Sequence, residues 1–355
     1  MIRQHGKLTF LSFLLVVLCG NTFAQKIPVI PLDLDSLITV GYATGSLKTL
    51  SGSVEKITEK QMNKDQVTNP LEAIRGRVPG LTIQRGTNGL AALDAVRLRG
   101  TTSLTSGNDP LIIVDGVFGD LSMLTSIYPT DIESFTILKD ASETAQYGSR
   151  GASGVIEVTT KKGMQGRTQV AYNGSFGIST VYKNLKMLSG DEFRSVASER
   201  GISILDKGNN TNFQKEIQQT GLQQNHHVAF YGGSSTSSYR VSLGFMDRQG
   251  VILNEDMKNF TSNMNMNQKM FDGFFDCELG MFGSILKNHN LVDYQKTFYS
   301  AATFNPTYPN HKDPVTNSWD GITTASQITN PLAWMQVDDD DATSHISTHA
   351  RFTFN

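Results

Sequence analysis

Three clusters of residues in this sequence have types that could do chemistry. Asp338 to Asp341 are consecutive carboxylates, which suit calcium, but their spacing matches no known calcium loop and favours an exposed, solvated loop. His226 and His227 are adjacent, so on a strand they point to opposite faces and cannot bind one metal ion. Gly148-Ser149-Arg150-Gly151 has only a superficial likeness to a nucleophile elbow, because Tyr147 stands where the first glycine should be. We therefore find no catalytic constellation and predict no enzyme activity, no metal and no cofactor.

The composition excludes one class of partner and favours one kind of fold. The chain has 355 residues with 31 Lys and Arg against 33 Asp and Glu, so it has no basic excess. Because nucleic-acid binding rests on clustered positive charge, no nucleic-acid partner is expected. With 32 glycines and 18% charged residues, the composition fits a loop-rich β protein better than a helical one.

The first 24 residues have the layout of a secretory signal peptide. Arg3 and Lys7 make a positive start, and the stretch from Leu8 to Leu18 is mostly apolar. The segment ends in Thr-Phe-Ala, which predicts cleavage between Ala24 and Gln25. Its apolar core is shorter than the about 20 residues that a membrane-spanning helix needs. We expect the mature chain to be exported.

The two cysteines support no internal disulfide bond. Cys19 could indicate a lipoprotein, but Leu18 before it is bulky where such sites have a small residue. Removal of the signal peptide would leave Cys277 as the remaining cysteine, so the exported chain must be stabilised by its sheets and core.

Residues 25–50 are predicted to be an extended, mobile segment with one apolar patch. Pro28 and Pro31 come early, and the patch follows them. An apolar patch on a flexible terminus can add as a strand to the sheet edge of a partner. The patch consists of Asp35, Ser36, Leu37, Ile38, Thr39, Val40, Gly41 and Tyr42.

Residues 51–163 have the pattern of a compact α/β domain. Asn69 and Pro70 predict the start of a helix. The apolar run Leu111 to Val114 predicts a buried strand, which ends in a tight turn at Asp115-Gly116. Asp140 to Glu143 predicts a capping box and a second short helix, ended by Gly148. Val155 to Thr160 supplies a further strand. We predict short strands and small helices around one core.

From residue 164 onward the pattern changes to an alternation of period two. About six strands are visible, with long links at 181–224 and 287–344 and a short link at Asp272-Gly273. A soluble β-sandwich also alternates, but short turns that alternate with long loops favour an outer-membrane barrel. The strands include Val170–Ile178, Val228–Phe230, Tyr239–Phe245, Phe260–Asn267, Phe275–Met281 and Ile346–Phe354. The sequence therefore predicts an α+β domain followed by the first strands of a transmembrane antiparallel β-barrel.

The number of strands is smaller than a membrane barrel requires. The smallest such barrels have about 8 strands, and this chain ends at Asn355 inside its last one. We expect the chain to be truncated, with unpaired edges at both ends of its sheet.

Four sequence blocks of the α/β domain carry a family resemblance. They are RLRGTTSL at 97–104, NDPLIIVDG at 108–116, DIESFTILKDAS at 131–142 and YGSRGASGVI at 147–156. In this order they resemble the plug domain of TonB-dependent receptors, specifically the SusC/RagA-like nutrient importers of Bacteroidota. The residues that match the plug signature or its contact with the barrel are Arg97, Arg99, Gly100, Asp109, Pro110, Asp115, Gly116, Asp131, Lys139, Asp140, Tyr147, Gly148, Arg150 and Gly151.

The resemblance implies a function in the outer membrane. It implies a plug seated in a barrel of about 22 strands, in contact with outer-membrane lipid. It also implies a SusD-like surface lipoprotein as lid, TonB with its inner-membrane energising complex, and a nutrient ligand such as glycan or peptide fragments. Residues 35–42 match the position of a TonB box. The alternatives are an inactive gene fragment and a signal-transducing receptor, although the latter needs an additional N-terminal domain for which there is no room.

Two interpretations of the plug residues remain open at this point. Arg97 and Arg99 are predicted to share one face of a strand, with Val96 and Leu98 on the core side. They either form ionic contacts to the barrel wall or are a solvated pair that stabilises the plug. Asp115-Gly116 and Tyr147-Gly148 are expected to be turn and cap positions, not ligand contacts.

Overall fold

A computed structural model describes most of the chain. The described residues are 37–40, 43–46, 52–63, 67, 69–85, 90, 93–105, 107–321, 330–337 and 339–354. The predicted signal peptide, including Ala24 and Gln25, lies outside them. No helix within the described ranges is both long enough and apolar enough to cross a membrane.

The first strands form a small hairpin before the α/β domain. Strand β1 covers Leu37–Val40 and pairs in antiparallel fashion with β2, Ala43–Ser46. Of the predicted TonB box, Leu37 to Val40 therefore have extended backbone, whereas Asp35, Ser36, Gly41 and Tyr42 lie outside the described residues.

The α/β domain contains a five-stranded sheet with the order β3-β8-β9-β6-β7 and a separate hairpin of β4 and β5. Strands β6 and β9 are parallel, and the other pairs are antiparallel. The strands are β3 Val54–Thr58, β4 Leu81–Arg85, β5 Leu93–Leu98, β6 Leu111–Val114, β7 Val117–Gly119, β8 Ile132–Leu138 and β9 Val155–Thr160.

Short helical turns connect these strands. The predicted helix start at Asn69 is confirmed, because its side chain accepts a hydrogen bond from the Leu71 amide at 3.1 Å. The helix is a 3₁₀ helix that ends at Ile74. The 3₁₀ helices are Glu59–Gln61, Pro70–Ile74, Leu121–Ser126, Pro129–Asp131 and Ala145–Gly151, and the α-helix is Ala141–Thr144.

Strand β6 is buried on both faces, as its unbroken apolar run predicts. Ile112 and Val114 belong to the main core of the domain, whereas Leu111 and Ile113 pack in a smaller cluster on the opposite face. A strand covered on both sides has no need of polar alternation, and this explains the continuous run.

The second half of the chain forms a six-stranded antiparallel sheet in sequential order, which we call the wall. The predicted fold class, a plug domain followed by antiparallel strands, is confirmed. Phe271 and Asp272, both at φ 53°, make the short predicted turn together with Gly273 at φ 89°. The strands are β10 Gly166–Ser179, β11 Gly221–Gly233, β12 Ser237–Gln249, β13 Asp256–Met270, β14 Phe275–Asn290 and β15 Asp339–Phe354.

The long links of the wall are folded and do not form simple loops. Their helices pack with the turn between β12 and β13 around a core that includes Phe213, Ile217, Ile252, Phe304 and Met335. These helices are Phe213–Glu216, Tyr294–Thr303 and Pro331–Trp334, and the first link also contains the helix Gly190–Glu199.

The loop predicted for the acidic run is wrong for three of its four residues. Asp339, Asp340 and Asp341 lie on β15, where they are exposed and pair with residues 288–290 of β14. The backbone of β14 continues as a strand beyond its apolar residues. Strand β15 pairs with this extension, so it includes the three aspartates. Asp338 lies outside the described residues.

Candidate functional site: the contact between plug and wall

The two faces of the wall differ in chemistry because neighbouring side chains alternate. On β13, Asn259, Asn263 and Asn265 point toward the plug and are buried. Phe260 and Met266 point the other way and are 45% and 42% exposed. The polar face is thus covered by the plug, and the apolar face is free to meet lipid. This arrangement matches the polar lumen and apolar exterior of a plugged membrane barrel.

A buried cluster of charged and polar groups joins the plug to the wall. One carboxylate oxygen of Asp131 accepts a hydrogen bond from Arg240 Nη2 at 2.9 Å. The other accepts one from Ser242 Oγ at 2.6 Å and lies 3.0 Å from His227 Nε2. The side chain of Asp131 is 3% exposed and that of His227 is 1% exposed. One plug carboxylate therefore accepts hydrogen bonds from two side chains of β12 and lies in contact with a third side chain, on β11.

Local structure fixes the position of Asp131 within the plug. It ends the 3₁₀ helix that starts at Pro129, whose ring favours the first helical position. Its backbone N–H donates to the Tyr128 carbonyl at 2.9 Å, and its own carbonyl accepts from Lys161 N–H at 2.7 Å. The carboxylate is thus held between the start of β8 and the segment that leads into the wall.

The cluster keeps Asp131 ionised. Burial by itself would raise the pKa of the Asp131 carboxyl, but His227, Ser242 and Arg240 together lower it below its ordinary value. Burial, with the negative charge of Asp131 nearby, raises the pKa of Tyr128 to about 12. We call the cluster of Asp131, His227, Arg240 and Ser242 the latch. Because Asp131 is ionised, the latch contains a buried ion pair at neutral pH.

Tyr128 provides a second, apolar contact next to the latch. Its ring stacks on the His227 ring with centroids 4.7 Å apart and an interplanar angle of 20°. The same ring fills the space above Gly244 on β12, where an added Cβ would lie 2.4 Å from Tyr128 Cδ2. Only a residue without a side chain leaves room for the ring at this place on the wall.

Replacing Gly244 with valine is expected to destabilise the docking of the plug by about 1–3 kcal/mol, because the new side chain would overlap the Tyr128 ring. Thermal unfolding of the purified receptor measures the loss. The double variant Gly244→Val with Tyr128→Ala removes the overlap and should be less destabilised than the two separate losses combined. Additive losses would show that Tyr128 does not occupy the space above Gly244.

Further contacts extend along the same face of the wall. Asn259 Nδ2 donates to the Thr125 carbonyl at 2.9 Å, and Ser284 Oγ donates to Ser126 Oγ at 3.1 Å. Phe282 of β14 is 1% exposed and belongs to the hydrophobic core of the plug. The plug and the wall therefore share part of one core.

The predicted turn at Asp115-Gly116 has an additional role. Both residues have positive φ, 48° and 89°, as the tight turn between β6 and β7 requires. The Asp115 carboxylate also accepts from Thr160 N–H at 2.9 Å and from Thr160 Oγ1 at 2.6 Å. Asn265 of the wall donates to the same hydroxyl at 3.2 Å. These hydrogen bonds connect the turn to the C-terminal end of the plug domain. Close to that end, Lys162 pairs with Glu278 of the wall.

The structure places Arg97 and Arg99 in ion pairs within the plug. Arg97 pairs with Asp109, and Arg99 pairs with Asp140. The predicted shared strand face is wrong, because β5 ends at Leu98 and Arg99 takes a positive φ of 60°. Val96 and Leu98 do occupy the core side, at 0% and 3% exposure. Asp131 and Lys162 make charged contacts to the wall, whereas these two arginines pair inside the plug.

The capping box predicted at Asp140 is not formed. Its carboxylate makes no cap to the following helix. It accepts instead from the Ser53 N–H at 2.5 Å and pairs with Arg99, and these contacts lower its pKa. Lys139 beside it pairs with Glu55 at 2.6 Å. These tertiary partners lie far away in sequence, so a local pattern could not predict them.

The remaining signature residues stabilise local plug structure. Gly148 has φ 60° and ψ −148°, so the chain turns there as predicted. Tyr147 donates to Glu157 of β9, and the Arg150 guanidinium lies 5.8 Å from the centre of the Phe118 ring. Gly151 has no space for a Cβ, because the Thr144 carbonyl would lie 2.7 Å away. Gly100 has a positive φ of 94°, and Pro110 is buried before β6.

Sequence reasoning missed the wall residues of the latch. His227 was predicted only to face away from His226, and it does: His226 lies on the other face, 2.7 Å from the Tyr172 hydroxyl. Arg240 and Ser242 alternate with Val241 on β12, so a charged residue on the inward face was the available signal. In the described part of the chain, no group of three His, Cys, Asp or Glu residues could hold a metal ion.

Comparisons with known proteins agree with this arrangement. Residues 46–155 match the family model of the TonB-dependent Receptor Plug Domain. The chain is 34% identical over 316 residues to TonB-dependent receptor SusC of Bacteroides thetaiotaomicron, covering 84% of this chain and 31% of the relative. It is 34% identical over 266 residues to TonB-dependent receptor P3 of Formosa agariphila, covering 75% of this chain and 26% of the relative.

The fold also matches a solved structure. The RagAB peptide importer in its open-open state aligns with a TM-score of 0.72 at 24% identity, over 90% of this chain and 40% of that chain. The chain spans between a quarter and a third of the length of these curated relatives, 31% and 26%. The relatives are receptors, which agrees with the prediction that the protein is not an enzyme. The plug, its polar seat on the wall and these matches together show that the chain belongs to the SusC-like TonB-dependent receptors of the outer membrane.

Proposed function

We propose that the protein acts in TonB-dependent import of a nutrient, glycan or peptide fragments, across the outer membrane. The observation that carries this proposal is the plug held by Asp131 against the polar face of a barrel-type wall. A relative named SusC and a fold neighbour described as a peptide importer support the class of cargo. The activity is that of the whole receptor, since the chain spans about a third of its relatives, 31% of SusC.

The mechanism follows from the places of the plug and the N-terminal hairpin. A plug that shares a core with the wall closes the lumen to solutes at rest. TonB binds the segment 35–42 by adding a strand to β1 and pulls on it. The pull is transmitted to β3, an edge strand of the plug sheet that pairs only with β8 among the described strands. Rearrangement of the plug then opens a path for the nutrient.

Two further partners complete the proposal. A SusD-like surface lipoprotein covers the outside face, where the described parts of the long links, 180–220, 291–321 and 330–337, form a packed lobe. Outer-membrane lipid contacts the apolar face of the wall, for which Phe260 and Met266 are exposed.

Uptake of labelled oligosaccharides and labelled peptides by cells with the complete receptor tests the proposal. We expect uptake of one of these classes, loss of uptake when TonB is deleted, and loss when the inner-membrane proton gradient is collapsed. Affinity purification of the receptor should retain a surface lipoprotein. Uptake of both classes that is unchanged without TonB would contradict the proposal.

A further inference from the structure

The packed lobe contains a cavity that the proposed import mechanism does not use. Its volume is about 250 Å³, which is below the about 300–1,000 Å³ of pockets that enclose a whole ligand. It lies between the chain at 185–189, the start of the helix Phe213–Glu216 and the end of the helix Tyr294–Thr303. A space of this size suits one residue of a longer molecule.

The floor of the cavity is apolar and buried. Phe213 and Phe304 are 3% and 8% exposed, and their rings meet edge to face with centroids 5.1 Å apart. Ala301, which is also buried, and Pro306 complete this part of the lining. Because these side chains have no polar atoms, the floor offers no partner to a hydroxyl or a charged group.

The polar side chains of the lining are engaged in hydrogen bonds that build the cavity. Gln214 accepts from the Leu185 N–H at 3.0 Å and donates to the Leu185 carbonyl at 2.9 Å. Asn210 accepts from the Gly190 N–H at 2.7 Å and donates to Asp191 at 3.0 Å. A sugar in this cavity would bury hydroxyl groups that lack partners, which is costly. Ser189 and Thr211 are engaged in the same way, with Glu192 and the Tyr308 carbonyl.

The mouth of the cavity has exposed apolar side chains and balanced charges. Met187 and Leu188 are 48% and 47% exposed. Lys186 beside them is matched by Glu192, whose pKa is lowered first by hydrogen bonds from Ser189 and then by the charge of this lysine. The mouth therefore favours an uncharged apolar group and does not form an anion site.

We propose that the cavity binds one apolar side chain of a peptide, as the first contact between cargo and receptor. The inference rests on the proposed import function and narrows its cargo to peptides with side chains such as leucine. The lobe lies at the end of the wall opposite the short turns, so cargo from outside reaches the cavity before the plug. Asn212 at the mouth accepts from the Lys215 N–H at 3.2 Å through its oxygen, which leaves Nδ2 to donate to a peptide carbonyl.

Binding of radiolabelled pentapeptides to the purified complete receptor tests the site. Three acetylated and amidated peptides have leucine, alanine or asparagine as the central residue among glycines. The leucine peptide should bind about 10- to 50-fold more tightly than the alanine peptide, because three further carbon groups are buried. Asparagine is similar in size to leucine but would lose its hydrogen bonds with water, so its peptide should bind no better than the alanine peptide.

Two variants of the lining should remove the preference for leucine. Ala302→Trp fills the cavity, and Met187→Asp places a carboxylate at its exposed mouth. Both should bind the leucine peptide as weakly as the alanine peptide. The matched controls Thr303→Trp and Ile202→Asp change exposed residues outside the lining and should bind like the parent. Thermal unfolding of the four variants is measured in parallel, and if Ala302→Trp is destabilised, Met187→Asp decides.

Three results would overturn the proposal. They are equal binding of the three peptides by the parent, an unchanged preference for leucine in Met187→Asp, and displacement of the leucine peptide by an equal concentration of a glucose oligosaccharide. The binding assay needs no TonB. Uptake of oligosaccharides that depends on TonB, without binding of the leucine peptide, would therefore support import and remove only the role of the cavity. A preference for leucine without TonB-dependent uptake would have the opposite meaning.

Discussion

Replacing Ile38 with proline is expected to abolish nutrient uptake by the complete receptor without changing its level in the outer membrane. Ile38 lies within β1, whose backbone is extended and pairs with Gly45 of β2. Strand addition to TonB depends on backbone hydrogen bonds, and proline removes one N–H donor and fixes φ. Uptake of the labelled nutrient and immunoblots of outer-membrane fractions measure the two quantities.

Alanine at the same position separates backbone from side chain. Ile38→Ala keeps the N–H group and should retain most of the uptake, whereas Ile38→Pro should have none. The plug begins beyond this hairpin, so thermal unfolding of both variants should match that of the parent. Full uptake by Ile38→Pro would show that the segment 35–42 is not the TonB box.

Replacing Asp131 with alanine is expected to loosen the plug from the wall by about 3–5 kcal/mol. Removing one partner of a buried ion pair leaves the other charge buried without compensation. Here Arg240, 7% exposed, would lose its carboxylate, and Ser242 and His227 would lose the same neighbour. Thermal unfolding of the purified receptor should show the loss, and cells should become more sensitive to antibiotics too large for porins.

A double variant distinguishes the latch from a general loss of stability. Asp131→Asn with Arg240→Gln removes both charges and keeps groups that can hydrogen bond, so it should be less destabilised than Asp131→Ala. A matched control is Asp109→Ala, which breaks an exposed ion pair within the plug and should change stability by less than about 1 kcal/mol. If Asp131→Ala and Asp109→Ala behave alike, the buried cluster does not hold the plug.

Local sequence patterns predicted the strands well, because the order of apolar and polar residues along a strand depends on whether each of its faces is buried or exposed. The unbroken apolar run at Leu111 to Val114 required cover on both faces, and it has that cover. The alternation from Phe260 to Asn267 required one polar and one apolar environment, and β13 lies between plug and exterior. Turn positions such as Asp115-Gly116 were equally readable, since positive φ limits the residues that can occupy them.

Sequence patterns gave wrong predictions where a charged side chain could bind either a local or a distant partner. Asp140 had the spacing of a helix cap, yet Ser53 and Arg99 bind its carboxylate. Arg97 and Arg99 had the spacing of a shared strand face, yet the chain turns at Arg99. A hydrogen bond gains as much from a partner many residues away as from a local one, so sequence spacing could not rank the two choices.

The sequence by itself determined that a domain of short strands and small helices is followed by alternating strands, because burial and periodicity are local properties of the chain. Only the tertiary structure decided which plug residue meets the wall. Asp131 was one of fourteen residues that matched the plug signature. Only the position of the plug against the wall shows that His227, Arg240 and Ser242 surround it. The space above Gly244 is likewise defined by the Tyr128 ring, which lies more than a hundred residues earlier in the chain. Which residues form a long-range contact is decided only when the molecule is packed. That such a contact must exist can be predicted from the sequence, because a charged residue at an inward-facing position needs a partner.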